Sequence, residues 1–391
     1  MLSHLFKLIW NKKKQNFLLL MEMFVSFLVM FAVFTLLVYY YKNFKVPHGF
    51  QYENVWAVNY NDAVKPDRLD SVALYMQTVR QTLLGVDGVQ DITFTSANIP
   101  FSFTQNNNFV SYNKNKVLAN VYEAEDNYAS LFNLSVISGR WFDKTDIAGQ
   151  TNTIVINNRL KESLFGNDEA IGKTILAGDE KLRVIGVSND MKIDGDYQPT
   201  ENGFFRKLDT AGLKYNSTIL VKIRPGIDAS FEPKLFKVLN NVIRNANIEI
   251  EHFTKKRERK NTLSLVPMIL LSVVGGFLII NVALGLFGVL WYNINKRRCE
   301  IGLRRAVGAS GSAISWQLIG EALVLSTLAI ILGSFFAVQF PLLNVFDLPA
   351  GVYLTAIALA IAFIYGLVMI CALYPGKQAA AIYPAVALHE E

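Results

Sequence analysis

The chain has 391 residues, 52% of them hydrophobic and only 18% charged, which is more apolar than a soluble protein of that length. Its net charge of +6 sits largely in Lys/Arg runs that flank apolar segments, and no basic-aromatic interleaving asks for nucleic acid. Cys299 and Cys371 are the two cysteines, and His4, His48, His252 and His389 the four histidines; they are too scattered for a disulfide framework or a metal site.

Charge-poor windows recur four times along the chain. From Phe17 to Tyr41 the single charge is Glu22; none lies between Lys260 and Lys296, between Glu321 and Asp347, or between Asp347 and Lys377. A hydrocarbon core takes about 20 apolar residues to span, so each window predicts a transmembrane helix. The first follows Lys12, Lys13 and Lys14 like a secretory leader. Its apolar run is too long for one, however, and ends in Tyr39, Tyr40 and Tyr41 rather than at a small-residue cleavage site. It reads as an uncleaved signal anchor with the tyrosines at the outer interface.

Lys12 to Lys14 precede helix one, and Lys296, Arg297, Arg298, Arg304 and Arg305 follow helix two, whereas no Lys or Arg lies between Arg305 and Lys377. The short loop carrying Asp347 is therefore expected outside and both termini inside. Against this stands the run Lys255, Lys256, Arg257, Arg259 and Lys260, just before helix two on the outer side. Long domains cross largely regardless of charge, so the short loops carry more weight. The expected division is a cytoplasmic N-terminal segment 1–16, helix one 17–41, an outer domain 42–262 and helix two 263–292. A cytoplasmic short helix and turn 293–311, helix three 312–340, an outer loop 341–350, helix four 351–374 and a cytoplasmic tail 375–391 complete it.

The outer domain is long enough to bury its own core. Near its start an extended run, Val55 to Tyr60, precedes a helical pattern with Pro66 near its beginning, apolar Leu69, Val72, Met76, Val79 and Leu83, and Gly85 just past its end; Val89 to Thr95 is again extended. Near its end Ser217 to Ile223, then Phe231, Leu235, Val238 and Val242 on a helical face, then Ile248 to Phe253 repeat strand, helix, strand. Between them lie strands at Thr153 to Ile156 and Leu182 to Val187, with polar loops such as Gln105 to Asn108. The fold class expected is an α-helical membrane protein with four transmembrane helices plus an α+β extracytoplasmic domain, two βαβ units with an inserted β-rich lobe.

Catalytic patterns are scarce. Gly166 to Thr174, GNDEAIGKT, has five residues between the glycines where a phosphate loop needs four, and it follows a helical stretch rather than a strand. A surface turn is the better reading. No nucleophile–base pattern stands out, although triads assemble from distant positions. Past Glu321 at the head of helix three, helices two to four carry no charge, and Asn281 and Gln339 are among their few strongly polar positions, which makes a poor path for a polar solute. Small residues at four-residue spacing, Ala329, Gly333 and Ala337 in helix three and Ala358, Ala362 and Gly366 in helix four, predict close packing of these helices on each other or on a partner copy. Glu22 is expected to snorkel to the interface or to pair with a basic residue after helix two.

The loop after helix two reads KRRCEIGLRRAVGASGSAISWQLIGEAL from Lys296. Glu300 precedes Arg304 by four residues, the favourable order for a helical ion pair, and Ile301, Ala306 and Val307 supply an apolar side. Gly308 is placed to end this short helix, and Ser310 or Ser312 to cap the next. Physics alone allows a basic anchor on anionic lipid headgroups.

EIGLRRAVGAS, with Glu321 at the head of the following helix, resembles the signature of the FtsX/MacB family of ABC transporter permeases. So does the tail, where Pro375, Ala379, Ala380, Pro384, Ala387 and Leu388 fit the family pattern. Gly139 to Phe142 (GRWF), Asn158 to Ile175 and Val184 to Val187 (VIGV) look like a MacB-type periplasmic core. The resemblance implies an inner-membrane dimer, of two copies or of a copy and a paralogue, with the large domain in the periplasm. It implies a separate cytoplasmic ATPase holding ATP and Mg, since fewer than about twenty residues precede helix one; this chain is then not an enzyme and carries no cofactor. The ATPase would dock through Arg297, Arg298, Glu300, Ile301, Gly302, Leu303, Arg304 and Arg305, with Gly308 as the turn. Such proteins work by mechanotransmission, exporting peptides or antibiotics or releasing lipoproteins, with a periplasmic adaptor as a further partner in some. An FtsX-like regulator of cell-wall hydrolases and an ATPase-independent sensor or scaffold touching only lipid remain as alternatives.

Overall fold

The computed structural model describes residues 13–61, 65–146, 152–243 and 245–381. His4, Lys12, Pro384, Ala387, Leu388 and His389 lie outside the described residues. Those described form two compact units, one from Asn43 to Ser264 and one from the flanking segments.

In the first unit, β1 (Val55–Asn61), α2 (Leu69–Leu84) and β2 (Val89–Thr95) make one strand–helix–strand, and β10 (Thr218–Ile223), α6 (Glu232–Val242) and β11 (Asn247–His252) the other. α1 (Lys13–Phe44) precedes them. The two strand–helix–strand segments are interleaved: the strand order is β11-β1-β10-β2, every neighbouring pair antiparallel, which is the ferredoxin-like arrangement. β1 is apolar almost throughout because both its faces are covered. Trp56, Val58 and Tyr60 meet Val72, Met76, Val79 and Leu83 of α2 and Leu235 and Leu239 of α6. Val55 and Ala57 meet an aromatic cluster that includes Phe50, Phe101, Phe132 and Phe253.

The inserted lobe is a closed barrel. β3 (Asn107–Tyr112), β4 (Asn115–Ala124), β6 (Thr153–Asn157), β7 (Thr174–Ala177), β8 (Glu180–Ser188) and β9 (Gly203–Lys207) run in the order β4-β3-β7-β8-β6-β9, and β9 returns to pair in parallel with β4. Closure leaves these strands without free edges. Val110, Val121, Ile154, Ile156, Val184 and Phe204 fill the interior, joined by Leu160 and Leu164 of α4 (Asn158–Phe165). The Asn157 side chain starts that helix by accepting from Leu160 N at 3.0 Å. Two short elements, α3 (Tyr128–Phe132) and β5 (Val136–Gly139), lie on the way, and α5 (Thr210–Tyr215) leads from β9 to β10.

GRWF and VIGV meet where β5 joins β8. Gly139 lies opposite Gly186 at φ +72°, and a Cβ on it would collide with Ile185 O and reach Ile171 Cδ1 at 2.8 Å; a Cβ on Gly186 would strike Arg140 O. Only glycine allows both the conformation and the approach.

The second unit contains α1, α7 (Phe253–Lys296), α8 (Arg298–Ala306), α9 (Gly311–Leu342) and α10 (Ala350–Ala380), the first residues of α7 belonging to the other unit. α1, α7, α9 and α10 are each long and apolar enough to cross a membrane. Their core holds Met23, Phe27, Phe31, Leu286, Ala329, Tyr353, Ala360 and Ile364. The helices run beyond the expected membrane spans at both ends. α7 starts at Phe253 rather than 263, because the charged segment 253–262 is itself helical. α10 continues through Pro375 to Ala380 instead of stopping at 374, and α9 runs to Leu342.

Candidate functional site

The loop after α7 folds as a short helix held on one face and bare on the other. Ile301 is buried among Ile294, Ile314, Leu318 and Ala379, and Gly302 is buried beside it. Arg297 Nη1 donates to Glu321 Oε1 at 3.0 Å, both side chains largely shielded. Arg305 Nη1 donates to Ala380 O at 2.7 Å. Arg304 spans two partners, Glu300 Oε1 at 2.5 Å and Gln317 Oε1 at 2.9 Å. Arg298 is half-buried.

α8 ends in a Schellman turn: Gly308 N donates to Arg305 O at 3.1 Å and Ala309 N to Arg304 O at 2.9 Å, with Gly308 at φ +104°. Ser310 caps α9 by accepting from Ala313 N at 3.3 Å. The apolar side is not the one the sequence suggested. Ile301 turns inward, but Ala306 is exposed and Val307, just beyond the last helical turn, is 83% exposed; Leu303 is 56% and Trp316 62% exposed. α8 and the turn after it therefore present Leu303 and Val307 together with Glu300 and Arg304, and Trp316 of α9 is exposed as well. Sequence reasoning missed Trp316, and also Gln317 and the Ala380 carbonyl as anchors. Glu321 was visible as an acid at the head of an apolar helix, a pattern that asks for a partner.

Glu22 lies against Gly285 of α7, where a Cβ would come within 2.8 Å of its Oε2. Among the described residues it joins none of the loop's arginines.

The two small-residue stripes part company. Ala329, Gly333 and Ala337 of α9 are buried, and the Phe27 ring lies directly on Gly333. Ala358 and Ala362 of α10 are exposed, and a Cβ on Gly366 would meet nothing within 4 Å. Among the described residues the second stripe is largely open, and Ala356, Ala360, Ile364 and Val368, two positions out of phase and so on the opposite helix face, do the packing.

The basic run in the first turns of α7 is tied into the unit from Asn43 to Ser264. Arg257 donates to Asp196 from Nε at 2.8 Å and Nη2 at 2.7 Å, and His48 Nε2 and Asn261 Nδ2 approach the same carboxylate at 2.7 and 2.9 Å. Lys256 pairs with Glu251, and Lys260 Nζ with Asp194 at 2.6 Å. Lys192, 1% exposed, donates to the backbone oxygens of Asn43 at 2.6 Å and Asp196 at 2.5 Å. Burial alone would raise the Asp196 pKa, but the hydrogen bonds from Arg257 and His48 outweigh it and hold the carboxyl far below its usual range. Burial pulls the Lys192 pKa down. These partners account for a positive run on the outer side of the membrane.

The GNDEAIGKT segment is a turn between α4 and β7, with Gly166 and Gly172 both at positive φ, 59° and 77°. His252 stacks on Trp56 at 4.2 Å and contacts Glu232. Among the described residues no three His, Cys, Asp or Glu side chains gather as metal ligands.

Residues 24–232 match the model of the MacB-like periplasmic core domain, and residues 272–384 that of the FtsX-like permease C-terminal region. The macrolide export ATP-binding/permease protein MacB of Aggregatibacter actinomycetemcomitans is 26% identical over 54% of this chain and 34% of its own length. The protein of that name from Neisseria meningitidis is 24% identical over 74% of this chain and 46% of its own. The ABC transporter permease YvrN of Bacillus subtilis is 23% identical over 69% and 70%. The chain thus spans between a third and half of the MacB relatives it matches. The crystal structure of the periplasmic region of MacB from Actinobacillus actinomycetemcomitans superposes with a TM-score of 0.39 at 16% identity, covering 56% of this chain and 97% of that one. With one model covering more than half the chain and the other most of its remainder, this inner-membrane protein with a periplasmic domain belongs to the MacB/FtsX-like family of ABC transporter permeases.

Proposed function

We propose that the chain is the permease subunit of a mechanotransmission-type ABC transporter, and that a cytoplasmic ATPase carrying ATP and Mg docks on α8. The observation that carries this reading is the two-sidedness of the 297–321 loop. One face is fixed by Ile301, the Arg297–Glu321 pair and the Arg305–Ala380 bond. The other leaves Leu303 and Val307 in the open. Apolar side chains ringed by charges on a firmly braced short helix fit a protein partner. Glu300 and Arg304 form its charged rim.

The membrane helices offer no chain of ionisable groups for a polar cargo, so the work of the ATPase is read out in the periplasmic domain. Cargo of the macrolide or peptide class, or a lipoprotein released outward, fits this arrangement. A second copy or a paralogue would complete the transporter, and the open Ala358–Ala362–Gly366 face of α10 suits such a contact.

The test is co-purification from detergent-solubilised membranes of the host, comparing wild type with a Leu303→Asp, Val307→Asp double variant. Both side chains are exposed, so the variant should fold as wild type does. Recovery of an ABC ATPase with wild type and its loss from the variant is the expected result. Equal recovery from both moves docking elsewhere, and recovery from neither favours a sensor or scaffold.

A further inference from the structure

β8 ends at Ser188 and β9 begins at Gly203, and the fourteen residues between them form no helix or strand. Connections of that length are uncommon in compact domains and are usually functional or disordered. This one is fastened along its middle to the ends of two helices. Asn43 and Phe44 close α1, and Arg257, Lys260 and Asn261 lie in the first turns of α7, all within the unit from Asn43 to Ser264.

Toward α1, Lys192 Nζ donates to Asn43 O at 2.6 Å, at the helix end where carbonyls lack intrahelical partners. Asn43 Nδ2 donates to Tyr197 O at 3.0 Å, and Phe44 stacks on the Tyr197 ring. Toward α7, Asp196 N donates to Asn261 Oδ1 at 2.8 Å, beside the Arg257–Asp196 and Lys260–Asp194 pairs. Lys192 joins the two halves, because the same ammonium also donates to Asp196 O. Glycine permits both approaches. Gly195 sits at φ +91°, and a Cβ on it would come within 2.6 Å of Asn261 Oδ1; Gly49, five residues past α1 at φ +80°, has no room for a Cβ against Asp190 O.

Chain connectivity shows what this adds. α1 leads through residues 45–54 into β1, and β11 runs straight into α7, so the backbone itself joins the ferredoxin-like segments to both helices. The barrel strands are entered from β2 and left toward β10; the β8–β9 loop is what carries barrel chain to both helix ends. Aromatic packing beneath it, with Phe253 against Phe101 and Phe132, holds the same parts together. Packed surfaces slide by shear. A buried ammonium bonded to carbonyls on two sides loses directional bonds if either side moves, and is left charged and unpaired. We infer that the β8–β9 loop is a clasp, with Lys192 as its pin, that makes the barrel lobe follow the adjoining ends of α1 and α7. The drive for such motion rests on the function proposed above; the clasp itself does not.

The test uses the full chain in nanodiscs, with Cys299 and Cys371 replaced by serine and spin labels on cysteine pairs at exposed positions. Leu263→Cys with Lys116→Cys spans helix end and barrel, and Leu263→Cys with Leu74→Cys spans helix end and α2. Pulsed dipolar spectroscopy without nucleotide should give narrow distance distributions for both pairs. Adding Lys192→Met should broaden the barrel pair roughly twofold, as an untied lobe would, and leave the α2 pair unchanged. A barrel pair that stays narrow overturns the inference, and so does equal broadening of both pairs, which marks general loosening. If Lys192→Met yields no folded chain, Asn261→Ala, which leaves Asp196 paired with Arg257, is read in the same way. Failure of ATPase docking leaves these nucleotide-free readouts standing. Where an ABC ATPase co-purifies, trapping it with ATP and vanadate should shift the barrel pair in the parent chain and not in Lys192→Met; equal shifts in both would overturn the clasp while leaving docking intact.

Discussion

Two regions bring arginines and carboxylates together, and they do so differently. At the start of α7 the Asp196 carboxylate is saturated by Arg257, His48 and Asn261, and Lys192 is consumed by backbone oxygens. In the loop after α7, the Arg297–Glu321 pair and the Arg305–Ala380 bond fasten one side only, and Leu303 and Val307 face outward. A closed polar network fixes local structure and has nothing left for a ligand. A braced helix that still exposes apolar side chains has the form the proposed docking requires.

The contrast predicts a ranking of stability effects. Asp196→Ala should be the most damaging, because it strands Arg257 and the donors around it; a loss of about 3 kcal/mol is expected, read as a lower unfolding midpoint of the periplasmic unit within the full chain. The same carboxylate sets an acid limit. Its folded pKa lies below the unfolded value of about 3.9, so its contribution is complete above that value and lost as pH falls toward the folded one. Wild type should therefore lose stability below about pH 4 more steeply than Asp196→Asn.

Arg297→Ala comes next, at about 1.5–3 kcal/mol, since it leaves Glu321 shielded and without its charged hydrogen bond. Gly333→Ala should cost about 1–3 kcal/mol by driving Phe27 from its seat, whereas Gly366→Ala, with open space around it, should leave the fold of the single chain unchanged and act only on the proposed contact with a second copy. Equal effects of the two glycine substitutions would remove the distinction drawn between the α9 and α10 stripes. Glu300→Ala should change stability little, by about 0.5 kcal/mol or less, because its i,i+4 pair is exposed.

What the sequence showed and hid follows from the range of the interactions involved. Four spans were legible because solvation by lipid imposes a local composition, and both strand–helix–strand segments because periodicity is local. The interleaving of β10 between β1 and β2 was not, since strand order depends on partners far apart in the chain. The same holds for barrel closure through β4 and β9. In the candidate site, Glu300–Arg304, the Gly308 turn and the Ser310 cap were readable from spacings of a few residues. The facing of Val307 was not, because the helix ends one residue before it. Four-residue spacing predicted a stripe on α10 without telling which face the bundle would bury. The Asp196 cluster joins residues 148 and 61 positions apart and left no local trace.

The account rests most heavily on α8 as a docking element, and site-specific photocrosslinking tests it most directly. A benzophenone side chain placed at Val307 in the full chain, with Phe335 as the membrane-facing control, would be irradiated in host membranes and its adducts identified. The account predicts that Val307 captures an ABC ATPase and Phe335 does not. Capture of lipid alone at Val307, or of the same partners at both positions, would contradict it.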